Sequence, residues 1–136
     1  MQEKKSYEYA VIRFSPRVER EEFLNVGVIL YAHGQQFLQM KFRLDKKRLH
    51  VFSSPEEIRE AQKHLESFER ICKGSADSGP IGQLSIAERF RWLSATRSTV
   101  IQISKVHSGL CTDPAAELSR LYEQLVLPVN DQQVLK

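Results

Sequence analysis

Residues 7–14 read YEYAVIRF and residues 26–31 read VGVILY. In the first stretch Tyr7, Tyr9 and Val11 share one face of an extended chain. Ala10, Ile12 and Phe14 share the other, with Glu8 at its edge. Ser15-Pro16 stops this strand. The second stretch is apolar on both faces, the pattern of a strand covered from two sides. Residues 17–22 are charged and read as a loop or one helical turn. A turn at His33-Gly34 leads to residues 37–42, where Leu38, Met40 and Phe42 alternate with Gln39 and Lys41, so one face meets water. Together the three segments predict an antiparallel meander.

Downstream, helical signals take over. Ser54 stands as an N-cap, Pro55 takes the first helical position, and Glu57 completes a capping box. Ile58, Ala61, Leu65, Phe68 and Cys72 make one apolar stripe, and Gly74 ends the helix. Glu66 with Arg70 and Glu69 with Lys73 are favourable pairs four residues apart, each worth about 0.3 kcal/mol. Residues 73–84 carry Gly74, Gly79, Pro80 and Gly82 and predict a loop. Ser85 and Glu88 repeat the capping box and open a short helix through Ile86, Phe90 and Leu93. Residues 99–103 are β-branched and predict a fourth strand. Asp113-Pro114 opens a last helix, in which Leu118, Leu121, Tyr122, Leu125 and Val126 keep amphipathic spacing until Pro128.

The fold class is therefore α+β: an antiparallel sheet of about four strands, the meander plus one later strand, packed against about three helices. The 136 residues suit a single domain. We divide it into a sheet-forming half at 6–52, a helical half at 53–128 and a frayed tail at 129–136. Hydrophobic residues at 41% and charged residues at 27% are globular values and argue against wholesale disorder. No apolar run is long enough for a membrane span, and the opening residues do not read as a signal peptide. Cys72 and Cys111 match no paired metal-ligand spacing and suit a reduced, cytoplasmic pair, with Cys72 in the core.

One polar cluster demands a partner. Arg13 falls in step with Tyr7, Tyr9 and Val11, on an apolar face, where an unpaired guanidinium is costly. Glu22 is the nearest plausible carboxylate, and Asn25 can bridge backbone groups at the next strand's start. Gly27 sits inside a strand at a cost of about 1 kcal/mol, which implies a close approach by Phe90 or Trp92 of a covering helix, or by a ligand. The cluster is either an Arg–Glu pair pinning the connection or a partner- or anion-binding site anchored by Arg13. A second feature is charge. Residues 1–50 hold ten Lys/Arg against six Asp/Glu, and the excess gathers at Lys41, Arg43, Lys46, Lys47 and Arg48, beside His50. Such a basic patch can meet phosphate or an acidic protein, or be a solvated loop.

The motif Y-x-Y-A-V-I-R-F-x-P from Tyr7, followed by E-F-L-N-V-G-V-I-L-Y from Glu22, resembles the opening of a bacterial family, the domain-of-unknown-function family numbered 3037. The run D-P-A-A-E-L-S-R-L-Y-E-Q-L-V from Asp113 looks like its closing helix. By that resemblance Arg13, Glu22, Asn25 and Gly27 fall on the strongest motif positions, and residues 46–48 fall where similar proteins also carry basic residues. The family brings no activity with it. Its members are encoded beside proteins similar to HipA-type kinases, which makes a HipA-like kinase the partner that the resemblance implies.

The sequence carries no recognisable reaction centre, metal-ligand spacing or cofactor motif. His33, His50, His64 and His107 lie in separate elements, Gly79-Pro80-Ile81-Gly82 lacks the lysine of a phosphate loop, and no serine sits in a G-x-S-x-G elbow. Cys111 reads as a loop residue, with His107 four positions earlier and nothing to orient the pair. The expectation is a non-enzymatic protein-interaction or regulatory module with an unidentified protein partner. The alternatives are a nucleic-acid-binding module using residues 41–48, and an enzyme with an unrecognised site around Arg13.

Overall fold

The alternation in YEYAVIRF feeds two separate cores. In the computed structural model, which describes residues 3–95 and 99–129, the first strand is Lys5–Phe14 (β1). Its Ala10, Ile12 and Phe14 enter a large cluster with Ile58, Leu65 and Phe90. Its Tyr7 enters a smaller one with Val28, Leu30, Leu118 and Leu121. Strand β2 (Leu24–Ala32) alternates in the same way, with Ile29 and Tyr31 in the first cluster and Val28 and Leu30 in the second. Strand β3 (Phe37–Phe42) completes the antiparallel meander. A 3-10 turn at Val18–Arg20 makes the first connection and one at His33–Gln35 the second.

Among the described residues the sheet has five strands, one more than the sequence suggested. The free edge of β1 is shared between two short strands. Ile101–Ile103 (β4) pairs with residues 12–14, and His107–Cys111 (β5) pairs with residues 5–9. The sequence HSGLC hid β5, because glycine and serine are weak strand formers. So Cys111, read as a loop residue, ends a strand.

Among the described residues the α-helices also number five, two beyond expectation. Both extra ones are single turns: Lys46–Leu49 (α1), N-capped by Asp45, and Gly79–Gly82 (α3), inside the predicted loop. A single turn shows no periodicity to read. The others begin where their caps stand. In α2 (Pro55–Lys73) the Glu57 amide donates to Ser54 Oγ at 3.1 Å and the Ser54 amide to Glu57 Oε1 at 2.8 Å. Gly74 ends it in the left-handed region at φ 67°, a conformation glycine adopts without strain. The stripe from Ile58 to Cys72 is buried as expected, with Ile71 added. Burying each large apolar side chain contributes about 1.5–3 kcal/mol. Helix α4 (Ile86–Leu93) repeats the capping box, and Asp113 caps α5 (Pro114–Leu125) by accepting from the Ala115 and Ala116 amides. Among the described residues Glu66 accepts from Gln62 rather than from Arg70. Helices α2 and α4 cover one face of the sheet and α5 the other.

A β-bulge at the start of β2 breaks the alternation. Ile12 faces Gly27 but Arg13 faces Asn25, so Val26 is the extra residue. Its side chain joins the large cluster, and Asn25 turns towards α5. Gly27 answers a different close approach from the one anticipated. A Cβ there would lie 2.7 Å from Lys41 O, 2.9 Å from Phe42 Cβ and 3.2 Å from Ile12 Cδ1. The space is taken by the neighbouring strand, not by Phe90, Trp92 or a ligand. Gly27→Ala should therefore push β2 and β3 apart and cost about 1–3 kcal/mol. Urea unfolding checks this; an unchanged midpoint would show that the strands have slack there.

Candidate functional site

The bulge brings part of the polar cluster together. Arg13 is the register partner of Asn25 on β2 and of Gln102 on β4, so the three form one polar row across the end of the sheet. Asn25 Nδ2 donates to Leu125 O at 3.1 Å, and Arg48 Nη1 donates to Val126 O at 3.1 Å. Both satisfy carbonyls at the end of α5 that have no partner within the helix. Arg13 lies beside them with its Cζ 4.4 Å from the centroid of the Phe23 ring, a cation–π arrangement. That ring is 47% exposed. Arg13 Nε and Asn25 Oδ1 are both buried, and neither has a hydrogen-bond partner among the described residues.

Glu22 does not serve Arg13. It pairs with Arg20, at 2.8 Å from Nε to Oε1 and 3.3 Å from Nη2 to Oε2. The hydrogen bond from Arg20 lowers the pKa of Glu22, with the coulombic attraction of Arg20 and Arg17 adding to it. The reason is local. Glu21 takes the left-handed conformation at φ 55°, closing the 3-10 turn so that residues 20 and 22 meet. A partner two residues away costs less chain entropy than one across the sheet. Of the four residues singled out from sequence, Arg13 and Asn25 meet, Glu22 belongs to the turn, and Gly27 faces the opposite side. Phe23 and Gln102 join the site without having been anticipated. Nothing in a linear reading gave their register.

The basic segment is dispersed. Lys41 Nζ donates to Ser119 Oγ at 3.0 Å and lies 5.8 Å from the Tyr122 ring centroid. Arg43 lies 4.0 Å from Asp45, and Arg48 is spent on the end of α5. Lys46 and Lys47 are exposed on α1. Beyond Glu22, a hollow of about 520 Å³ is lined by Arg17, Arg20, Val51 and Phe52, and Val51 is 85% exposed. Arg17 Nη1 donates to Phe52 O at 2.8 Å and lies 3.4 Å from Glu57.

A second polar group, at the start of α5, escaped the sequence altogether. Tyr7 Oη donates a short hydrogen bond to Glu117, which also accepts from Arg120 Nε at 3.0 Å and Nη2 at 2.5 Å. Burial, then the Glu117 carboxylate, pushes the Tyr7 phenol up to about 12. Arg120, then Tyr7, hold Glu117 low against the opposing effect of burial. The Tyr7 ring lies over its cross-strand partner Gly109, where a Cβ would come within 2.8 Å of Tyr7 Oη. The spacing Glu117–Arg120 was visible on the helix, but the third member needed β5 to be known.

The thiols are poorly suited to nucleophilic or ligand roles. Burial pushes Cys72 up to about 12, and burial together with Glu117 and Asp113 raises Cys111. His107 stacks on Tyr9 with centroids 5.1 Å apart. It sits four residues along β5 from Cys111, about 13 Å by strand rise. Among the described residues no three His, Cys, Asp or Glu gather to hold a metal ion, and no helix is long and apolar enough to cross a membrane.

The family described as "Protein of unknown function (DUF3037)" matches residues 9–126, and the chain belongs to that family. No curated protein and no solved structure matches it.

The Tyr7–Glu117–Arg120 group sets a pH dependence. The pKa of Glu117 is lower in the folded chain than in the unfolded one. Its contribution is complete above the unfolded value near 4.3 and is lost as pH falls through the folded value. Glu117→Gln should cost about 1.5–3 kcal/mol at neutral pH, with the gap to wild type closing in acid. Urea midpoints across pH measure it; a gap that does not change with pH would show that the carboxylate charge contributes nothing. Tyr7 has the opposite sense. Its contribution is complete below its unfolded pKa near 10 and is lost as pH climbs towards 12.

Proposed function

We propose that this DUF3037 member is a non-enzymatic protein-interaction module, regulatory or accessory in role. Its partner presents an acidic and apolar surface to the Arg13–Phe23 end of the sheet. The observation that carries the reading is the state of Arg13. Its guanidinium has no carboxylate among the described residues, and it lies over a phenylalanine ring that is half in solvent. Arginine and aromatic residues are the ones that dominate binding energy at protein interfaces: aromatics bury large area with few rotamers lost, and a planar guanidinium stacks on rings while donating several hydrogen bonds. The neighbouring Arg17, Arg20 and exposed Val51 extend the same chemistry across the adjoining hollow. A HipA-like kinase is the first partner to test, on the family resemblance. The raised thiols, the dispersal of the basic segment and the structural duties of Asn25 and Arg48 support this reading over catalysis or nucleic-acid binding.

Phe23→Ser and Arg13→Ala should each weaken a stoichiometric native complex by about 30-fold or more, the loss typical of an interface anchor. Phe23→Ser alters a half-exposed side chain and should leave the thermal midpoint close to wild type, which separates lost binding from lost folding. Glu60→Ala, on an exposed position of α2, serves as the control and should bind normally. Quantitative co-purification followed by titration of the recovered partner decides the matter. A partner held equally by all three variants would place binding elsewhere.

A further inference from the structure

The first four strands follow the order β3-β2-β1-β4, which leaves β3 at an edge. Hydrogen-bonded and non-hydrogen-bonded pairs alternate along an antiparallel ladder. The Arg43 amide donates to Val26 O at 2.8 Å, and the register runs on through Phe42–Gly27 and Lys41–Val28. Counting back from Arg43, the backbones of Lys41, Gln39 and Phe37 turn inward to β2. Those of Leu38, Met40 and Phe42 turn outward, and no described residue pairs with them. Open space flanks this edge on both sides. One hollow of about 410 Å³ is bounded by Leu38, Met40, Cys72 and Ile86, with Glu69, Lys73 and Arg89 among its charged lining. Another of about 380 Å³ is bounded by Met40, Lys41, Phe42, Glu69 and Tyr122. An edge lysine commonly blocks strand addition by projecting outward. Lys41 is instead drawn back onto α5 by Ser119 and Tyr122.

We propose that β3 pairs antiparallel with β3 of a second copy of this chain, joining two five-stranded sheets across a two-fold axis at Met40. The register follows from the residues. Centring on Met40 sets Leu38 opposite Phe42 and Met40 opposite Met40, so all three outward-facing backbones on each copy are used and about six hydrogen bonds form. The same register sets each Gln39 opposite Lys41 of the second copy, whose ammonium has two donors left beside its bond to Ser119 Oγ. Shifting the axis to residue 41 would place lysine against lysine. Shifting it to residue 39 would strand Phe42 without a partner. Of these three registers the Met40-centred one uses every outward backbone and avoids opposing lysines. The interface is isologous and closes, as a two-fold pairing must. It lies on the β3 edge and does not depend on the Arg13 surface.

Gln39 is exposed, so its side chain can be changed without touching either core. Sedimentation equilibrium over a dilution series should show a reversible monomer–dimer exchange. Gln39→Lys, which sets like charges opposite each other twice, should weaken it by about tenfold, and Gln39→Glu should tighten it by a similar factor. Amide hydrogen exchange should slow at Leu38, Met40 and Phe42 as concentration rises. A monomer at every concentration, or a dimer indifferent to both substitutions, overturns the proposal.

Discussion

Everything in this fold is placed by β1, whose two edges and two faces are all in use. One edge carries β2, and the other is divided between β4 and β5. One face meets α2 and α4 and the other meets α5. A strand so enclosed must alternate without error, because a slip of one residue would send Phe14 and Tyr7 to the wrong cores. The irregularity in its pairing with β2, the bulge at Val26, lies on the partner strand at the end of the sheet. There it re-aims Asn25 without disturbing the alternation of β1 itself.

Polar groups hold α5 at both of its ends, and this explains most of what first looked like a site. At its start Tyr7, Glu117 and Arg120 fasten the helix to β1. At its finish Asn25 and Arg48 take up the terminal carbonyls. The face between is small and apolar, so these bonds fix the helix's rotation and height where packing alone would leave latitude. Arg13 stands beside the second fastening but takes no part in it, and that separates it from its neighbours.

How far sequence carried the reading depended on range. The capping boxes at Ser54 and Ser85, the glycine stop at Gly74 and the apolar stripe of α2 were all legible, because each is written within a few residues. The meander was legible because its alternation is regular. The strand β5 was not, since Gly109 and Ser108 suit a strand only where a neighbour's ring covers the glycine, as Tyr7 does. The pairing of Glu22 was misread for the converse reason: a short-range partner, Arg20, competed successfully with a long-range one. Gly27 was correctly read as a point of close approach. The approaching group could not be named without knowing that β3 lies next to it.

The pairing of β1 with β5 joins segments far apart along the chain, and the Tyr7 to Glu117 bond spans 110 residues. On a ribosome adding about 5–20 residues each second, some 5–20 s separate the emergence of β1 from that of its last partner. Throughout that wait the meander and α2 can assemble, but β1 keeps one edge of backbone N–H and C=O groups unpaired. A nascent chain in this condition is the kind of species that chaperones bind and that stalled translation leaves prone to aggregate. Completion of the sheet thus waits for residues 107–111, and a chain cut short before residue 107 would retain a helix-covered half-sheet that lacks β5.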